Sequence, residues 1–239
     1  MGYRQLSEEE FSDLQRRIVY EDNHLLAVNK RIGEITQGDK TGDECLADTY
    51  KALIARRDNK QGKVFLGIPH RLDRPVSGIC ILAKTSKALE RLTGMFRDSE
   101  VHKTYWALCC EKPSEPEGHL EDYLVRNEKE NKSYVSRNAK DAKLAILNYR
   151  YLTSTDRYHL IEVELLTGRH HQIRCQLSKI GLTIKGDLKY GAKRSNPDGG
   201  ISLHSRKAEF VHPVSKENIV IVAPTPDDTL WNALSSFAG

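Results

Sequence analysis

At 239 residues and 38% hydrophobic content the chain can fill one large core or two small ones, and a net charge of +4 is too mild to mark a polyanion binder by itself. No apolar run approaches the ~20 residues a membrane span needs, and the opening segment ends in Glu8-Glu9-Glu10 where a secretory signal would be apolar. The five cysteines are odd in number and lack a C-x-x-C pair, which argues for reduced structural thiols over bridges or zinc ligands and for a cytoplasmic protein that meets no membrane.

The charge is unevenly spread. Thr167 to His212 carries nine lysines and arginines against three acids, whereas Glu111 to Asp141 carries six against eight. The first stretch reads as built to face a polyanion and the second to face water.

In chain order, Ile18-Val19-Tyr20 and Leu25 to Lys30 flank the polar turn Glu21 to His24 and predict a hairpin. Residues 43–57 place Leu46, Tyr50, Leu53 and Ile54 at helical spacing with Asp43 as N-cap. Val64 to Ile68 reads as a short buried strand and Gly78 to Ala83 as another. A helix is predicted over 86–98 with Ser86 as cap, then a strand from His102 to Cys110 with Lys103, Tyr105 and Ala107 on one face. Glu111 to Lys143, with two prolines and a glycine early on, predicts a long excursion from the sheet with a short hairpin around Tyr134-Val135, and is the weakest core segment. His159, Ile161, Val163 and Leu165 alternate as a strand, and a helix over about 169–180 is predicted with Thr167 as cap and Gly181 just past its end. Ile219 to Ala223 closes the series as a strand. Many strands with few helices and hairpin-like connections predict an α/β or α+β fold on a large, mainly antiparallel sheet, in one domain spanning 1–239.

Between the two central strands lies His70-Arg71-Leu72-Asp73-Arg74-Pro75-Val76-Ser77-Gly78, a carboxylate flanked by arginines on a loop fixed by sheet at both ends. Cations beside a carboxylate keep it ionised and nucleophilic, and such a loop is a good platform for chemistry. This stretch, Lys103-Thr104-Tyr105-Trp106-Ala107, Leu166-Thr167-Gly168-Arg169-His170-His171-Gln172-Ile173-Arg174, and the pair Gly186-Asp187-Leu188-Lys189-Tyr190-Gly191 and Leu203-His204-Ser205 together resemble, in the same order, four signature elements of the RluA-type RNA pseudouridine synthases. One match would be weak, but four in order are specific. Pro75-Val76-Ser77 departs from the more frequent acidic-Thr-Ser turn and Ser205 from the usual alanine, without touching the residues that matter for chemistry.

The resemblance implies the pseudouridine synthase fold with its active site in a central cleft, and a cofactor-free isomerase acting on RNA. It implies that Asp73 attacks the uridine nucleotide, at ribose C1′ or uracil C6, that Tyr105 packs on the uracil and assists proton transfer, and that Arg174 pairs with the aspartate. A stacked base must be flipped out to be reached, and Arg71 matches the family position that enters the vacated stack. Arg74, Arg169, His170, Lys185, Lys189 and Lys193 are then expected to face RNA. No S4-type module is recognisable at the amino end, a monomer is expected without a protein partner, and ribosomal RNA is slightly preferred over transfer RNA on family frequency alone. Adjacent helical residues point about 100° apart, so His170-His171 do not read as metal ligands, and no metal is expected. Two rivals remain: a non-catalytic RNA-binding or chaperone protein using the same surface, and a hydrolase that cuts the glycosidic bond.

Overall fold

A computed structural model describes residues 3–38 and 42–236, which divide into two compact units: Met1–Val101 with Ala208–Pro224, and His102–Lys207 with Thr225–Gly239. The fold is mixed α/β, with strands that pair antiparallel wherever their register is defined and helices flanking them.

In the first unit, β1 (Ile18–Glu21) and β2 (Leu25–Lys30) form the predicted hairpin, and β2 runs antiparallel to β3 (Ser77–Ala83) with Lys30 opposite Gly78. β3 is buried along its whole length and β2 nearly so, because both faces of the sheet are covered here. On one face lie α1 (Glu8–Arg16) and α2 (Leu46–Arg57), closing a core of Leu14, Leu26, Val28, Tyr50, Leu53 and Cys80. On the other lies α3 (Ser86–Arg97), which packs Ala88 and Leu92 on Ile79 and Ile81 together with Phe210 and Ile221. The last two belong to β9 (Leu203–Val211), divided between the units, and β10 (Asn218–Val222), which pairs with it.

Three expectations change here. Asp43 does not cap α2, whose N-cap Cys45 makes no side-chain capping bond; Asp43 instead meets Arg74 at 2.8 Å. The cap of α3 is Thr85, not Ser86, with its hydroxyl accepting from the Ala88 N–H, since the helix starts at Ser86 itself. Val64 to Ile68 is not a strand: Phe65 is exposed, Val64 and Leu66 are buried against the sheet, and the backbone pairs with it at the Gly67 and Ala83 bridge. A Cβ on Gly67 would lie 2.6 Å from the end of the Leu89 side chain, which would have to shift for any other residue to stand here. The helix α1 goes unrecognised in the sequence although Ser7 and Glu10 form a capping box before it.

In the second unit the strand order is β4 (His102–Cys109), β8 (His159–Leu165), β7 (Lys143–Ser154), β5 (Glu117–Asn127), β6 (Lys132–Val135). The segment Glu111 to Lys143 is thus no excursion. Its residues Asp122, Leu124 and Ser133 are buried, and β5 pairs with β7 from Glu117 to Leu124. Its polar residues alternate with the buried ones, as expected of a strand with one wet face. The helix near 169–180 starts later than predicted, at Gln172, as α4 (Gln172–Lys179). Thr167 does not cap it, because its hydroxyl is bonded to the backbone of Ile146 and to Gln172 Oε1. His171 precedes α4 in the left-handed region at φ 52°, and Gly181 follows it at φ 84°. A short 3₁₀ turn spans Leu188–Tyr190, and α5 (Thr229–Ser235) adds Trp231 and Leu234 to a core with Trp106, Leu108 and Leu160. No helix among the described residues is long and apolar enough to cross a membrane.

Candidate active site

The first unit contributes the Asp73 loop, which is tied down from several sides. Asp73 is half-buried between exposed Arg71 and Arg74, while Leu72 is buried beneath. The Asp73 carbonyl accepts from the Val76 N–H at 3.0 Å, closing a tight turn around Arg74-Pro75. The Arg74 carbonyl accepts from the Gly33 N–H at 2.9 Å. Before the turn, His70 Nε2 accepts the Ile81 N–H of β3 at 2.9 Å, and its ring stacks on Phe96 with centroids 4.2 Å apart. Nε2 is therefore the unprotonated nitrogen, and a neutral imidazole fastens the loop to the sheet.

The strongest tie is Lys30, at the end of β2 and only 1% exposed. Its ammonium donates to the carbonyls of Arg31, Arg74 and Val76 at 2.9, 3.2 and 2.7 Å, using all three hydrogens. Burial pulls its pKa down to about 8, opposed by the negative charges of Glu34 and Asp73. Lys30 thus holds the turn by its backbone and lies within electrostatic reach of Asp73. Sequence reading missed it because a lysine at a strand end normally points to water.

The second unit holds Tyr105 and Arg174. Tyr105 sits in β4 opposite Val163 and is 7% exposed, on the strand face it shares with Lys103. The Lys103 amine is also largely desolvated, which lowers its pKa. Arg174 lies in the first turn of α4, where its Nε and Nη2 donate to the two carboxylate oxygens of Asp187 at 2.7 and 2.9 Å. Its guanidinium carbon lies 5.0 Å from the centroid of the Tyr190 ring. Asp187 and Tyr190 belong to the Gly-Asp-Leu-Lys-Tyr-Gly motif singled out in the sequence, yet neither received a role there; their spacing becomes meaningful once the 3₁₀ turn folds them against α4.

The expected RNA-facing residues divide. Arg71 is exposed and makes no bond or ion pair with a described residue. Arg74 is engaged with Asp43 at half exposure. Arg169 donates to the Leu144 carbonyl, Lys185 to Asn196 Oδ1, and Lys189 to the carbonyls of Glu130 and Asn131. Lys193 is exposed. His170 stacks on His171 at 3.8 Å, with Nδ1 2.9 Å from the Ser133 hydroxyl and Nε2 3.1 Å from Asn131 Oδ1. His171 is buried against the Tyr190 hydroxyl, and burial together with the charges of Arg174, His170, Lys189 and Arg126 pushes its pKa down to about 2, so it is neutral.

In the first unit a half-exposed carboxylate on a pinned turn is suited to nucleophilic work; in the second a buried phenol on a strand and an arginine locked by a carboxylate are suited to acid–base and charge-holding work; no group of side chains that could hold a metal ion is found among the described residues. Residues 24–179 match the model of the RNA pseudouridylate synthase family. The chain is 31% identical over 226 residues to ribosomal large subunit pseudouridine synthase D of Zymomonas mobilis, covering 90% of this chain and 71% of that protein. It is 33% identical over 226 residues to synthase C of Vibrio cholerae, covering 89% and 67%. Its fold superposes on human RNA pseudouridylate synthase domain containing 4 with a TM-score of 0.76 at 24% identity, over 91% of each chain. With the four motifs in order, the matching fold and relatives aligned along nearly its whole length, the chain belongs to the RNA pseudouridylate synthase family, RluA-type, and is an RNA-modifying isomerase.

Proposed function

We propose that the chain isomerises uridines of large-subunit ribosomal RNA with Asp73 as nucleophile, the 239 residues acting as one catalytic domain, as a monomer in the cytoplasm. The observation that carries the assignment is the Asp73 turn itself: a half-exposed carboxylate whose backbone is held by Lys30, Gly33 and Val76. Such bonding costs nothing at the moment of reaction, which is what preorganisation requires.

In this reading Arg71, exposed two residues before Asp73, occupies the stack vacated by the flipped base. A carboxylate oxygen of Asp73 bonds to C1′ as the C1′–N1 bond breaks, leaving the uracil as an anion. The base turns, its C5 bonds to C1′ and displaces Asp73, and the C5 proton departs while N1 gains one. Tyr105 packs on the uracil and assists the proton transfer that takes the hydrogen from C5 as N1 gains one. Arg174, oriented by Asp187, supplies positive charge to the ionised aspartate. The ribosomal substrate is inferred from the names of the relatives in Zymomonas and Vibrio.

The test is Asp73→Asn, which keeps shape and removes charge. Pseudouridine mapped on RNA from a strain lacking the gene should reappear with the wild-type protein and be absent with the variant, at unchanged thermal midpoint and RNA affinity. Equal modification by both proteins would end the assignment. Tritium release from C5-labelled uridine RNA separates the isomerase from a mere RNA binder, and free uracil would indicate a hydrolase.

A further inference from the structure

The segment that reads as solvated in the sequence carries a built cluster of cations. At the tip of the β5–β6 hairpin, Asn131 adopts the left-handed region at φ 46° and presents its Oδ1 to two side chains at once: Arg126 Nη2 donates to it at 3.1 Å, and His170 Nε2 lies 3.1 Å away. Lys189 reaches up from the 3₁₀ turn to the carbonyls of Glu130 and Asn131. Lys132 lies over the rings of Tyr134 and Tyr190, 5.1 and 5.0 Å from their centroids. The hairpin is moored to the body by Ser133, whose N–H donates to the Tyr190 hydroxyl and whose own hydroxyl donates to the His170 carbonyl.

Arg126, Lys132 and Lys189 have only neutral partners: amide and carbonyl oxygens and aromatic faces. None forms an ion pair with a described carboxylate, although Glu128 and Glu130 stand in the same tip; Glu130 is taken by the Tyr134 hydroxyl. Gathering like charges on neutral supports costs repulsion, and the buried His171 registers it, since Arg126 and Lys189 both push it toward neutrality. A polyanion removes that cost and releases counterions on doing so. The arrangement is mounted directly before α4, the helix that carries Arg174.

We propose that the β5–β6 hairpin is an RNA-backbone contact, with Arg126 and Lys132 binding phosphates alongside Lys189 and His170. The proposal rests on the reading of RNA as substrate and adds where the strand is gripped. It is read by the salt dependence of binding to an unmodified transcript of large-subunit ribosomal RNA, from about 50 to 400 mM KCl, for wild type, the double variant Arg126→Ala with Lys132→Ala, and the charge-keeping pair Arg126→Lys with Lys132→Arg. The alanine pair should weaken binding about tenfold or more near 100 mM salt and flatten the log–log salt slope by about 1.5, roughly one per phosphate lost, with kcat at saturating RNA unchanged. The charge-keeping pair should restore both. Unchanged slope and affinity in an alanine variant of normal thermal midpoint would overturn the proposal, as would equal losses in the charge-keeping pair or loss of an acidic protein partner with RNA binding intact. Because binding is measured without turnover, a wild-type protein that forms no pseudouridine in any RNA would refute the catalytic reading and leave this result to stand or fall on its own.

Discussion

Arg174 and Asp187 form a two-pronged ion pair in which Nε and Nη2 lie 2.7 and 2.9 Å from the two carboxylate oxygens, with side chains 6% and 1% exposed. Removing either partner takes away both bonds and leaves a buried charge less compensated. Asp187→Asn should therefore cost about 3–5 kcal/mol in urea unfolding and lower kcat, because Arg174 loses its orientation. Asp187→Glu, which keeps the charge, should recover part of both. An Asp187→Asn protein as stable and as active as wild type would show that Arg174 needs no such support.

Lys30→Met leaves three loop carbonyls without their donor. At about 1 kcal/mol or more for each orphaned acceptor the protein should lose about 3 kcal/mol of stability. Turnover should fall further than fold loss explains, since the Asp73 turn is no longer held. Calorimetry paired with pseudouridine formation below the unfolding range measures both, and a change under 1 kcal/mol would contradict the role given to this amine.

Glu21 accepts from Arg57 Nη1 and Nη2 at 2.7 and 2.8 Å and from Lys84 at 2.8 Å, and these bonds, Arg57 first, hold its pKa down to about 2 from an ordinary 4.5. The folded value is the lower one, so its contribution is complete above about pH 4.5 and disappears as the pH falls to about 2. Urea midpoints measured from pH 6 downward should fall less steeply for Glu21→Gln than for wild type in that window. Parallel curves would place the acid sensitivity elsewhere.

Tyr105→Phe keeps the ring and deletes the hydroxyl. With the ring still packing on the base, KM should stay within about threefold while kcat drops roughly 10²-fold or more, the usual worth of a lost proton carrier. A kcat close to wild type would reduce Tyr105 to a packing residue.

Arg71→Ala should slow turnover sharply on structured RNA and much less on a short flexible oligonucleotide, where little stacking needs to be opened. Equal losses on the two substrates, in single-turnover assays, would argue against insertion of the guanidinium into the stack.

How much was legible varied with the range of the interaction involved. The β1–β2 hairpin, β3, β4, β8 and β10 follow from local apolar alternation and polar turns, and Asp73, Tyr105 and Arg174 stand out because each lies in a motif. The caps were misread where a neighbouring side chain had a better partner: Asp43 goes to Arg74, and Thr167 to Ile146 and Gln172. β5 leaves no clear strand signal because the first half of its outer face is polar, with Glu117, His119 and Glu121 outward, and its pairing with β7 shows what the other face buries.

By itself the sequence determined the fold class and the family and singled out the loop that carries Asp73, since these depend on periodicity and on the order of short motifs. Tertiary structure alone decided what holds those residues. Lys30 became the anchor of the Asp73 turn, Asp187 the partner of Arg174, and the polar hairpin a cationic mount beside α4. The reason is physical: a buried charge is stable only where distant backbone or side-chain groups satisfy it, and those partners, 44 to 46 residues away for two of the three Lys30 bonds, leave no local pattern in the chain.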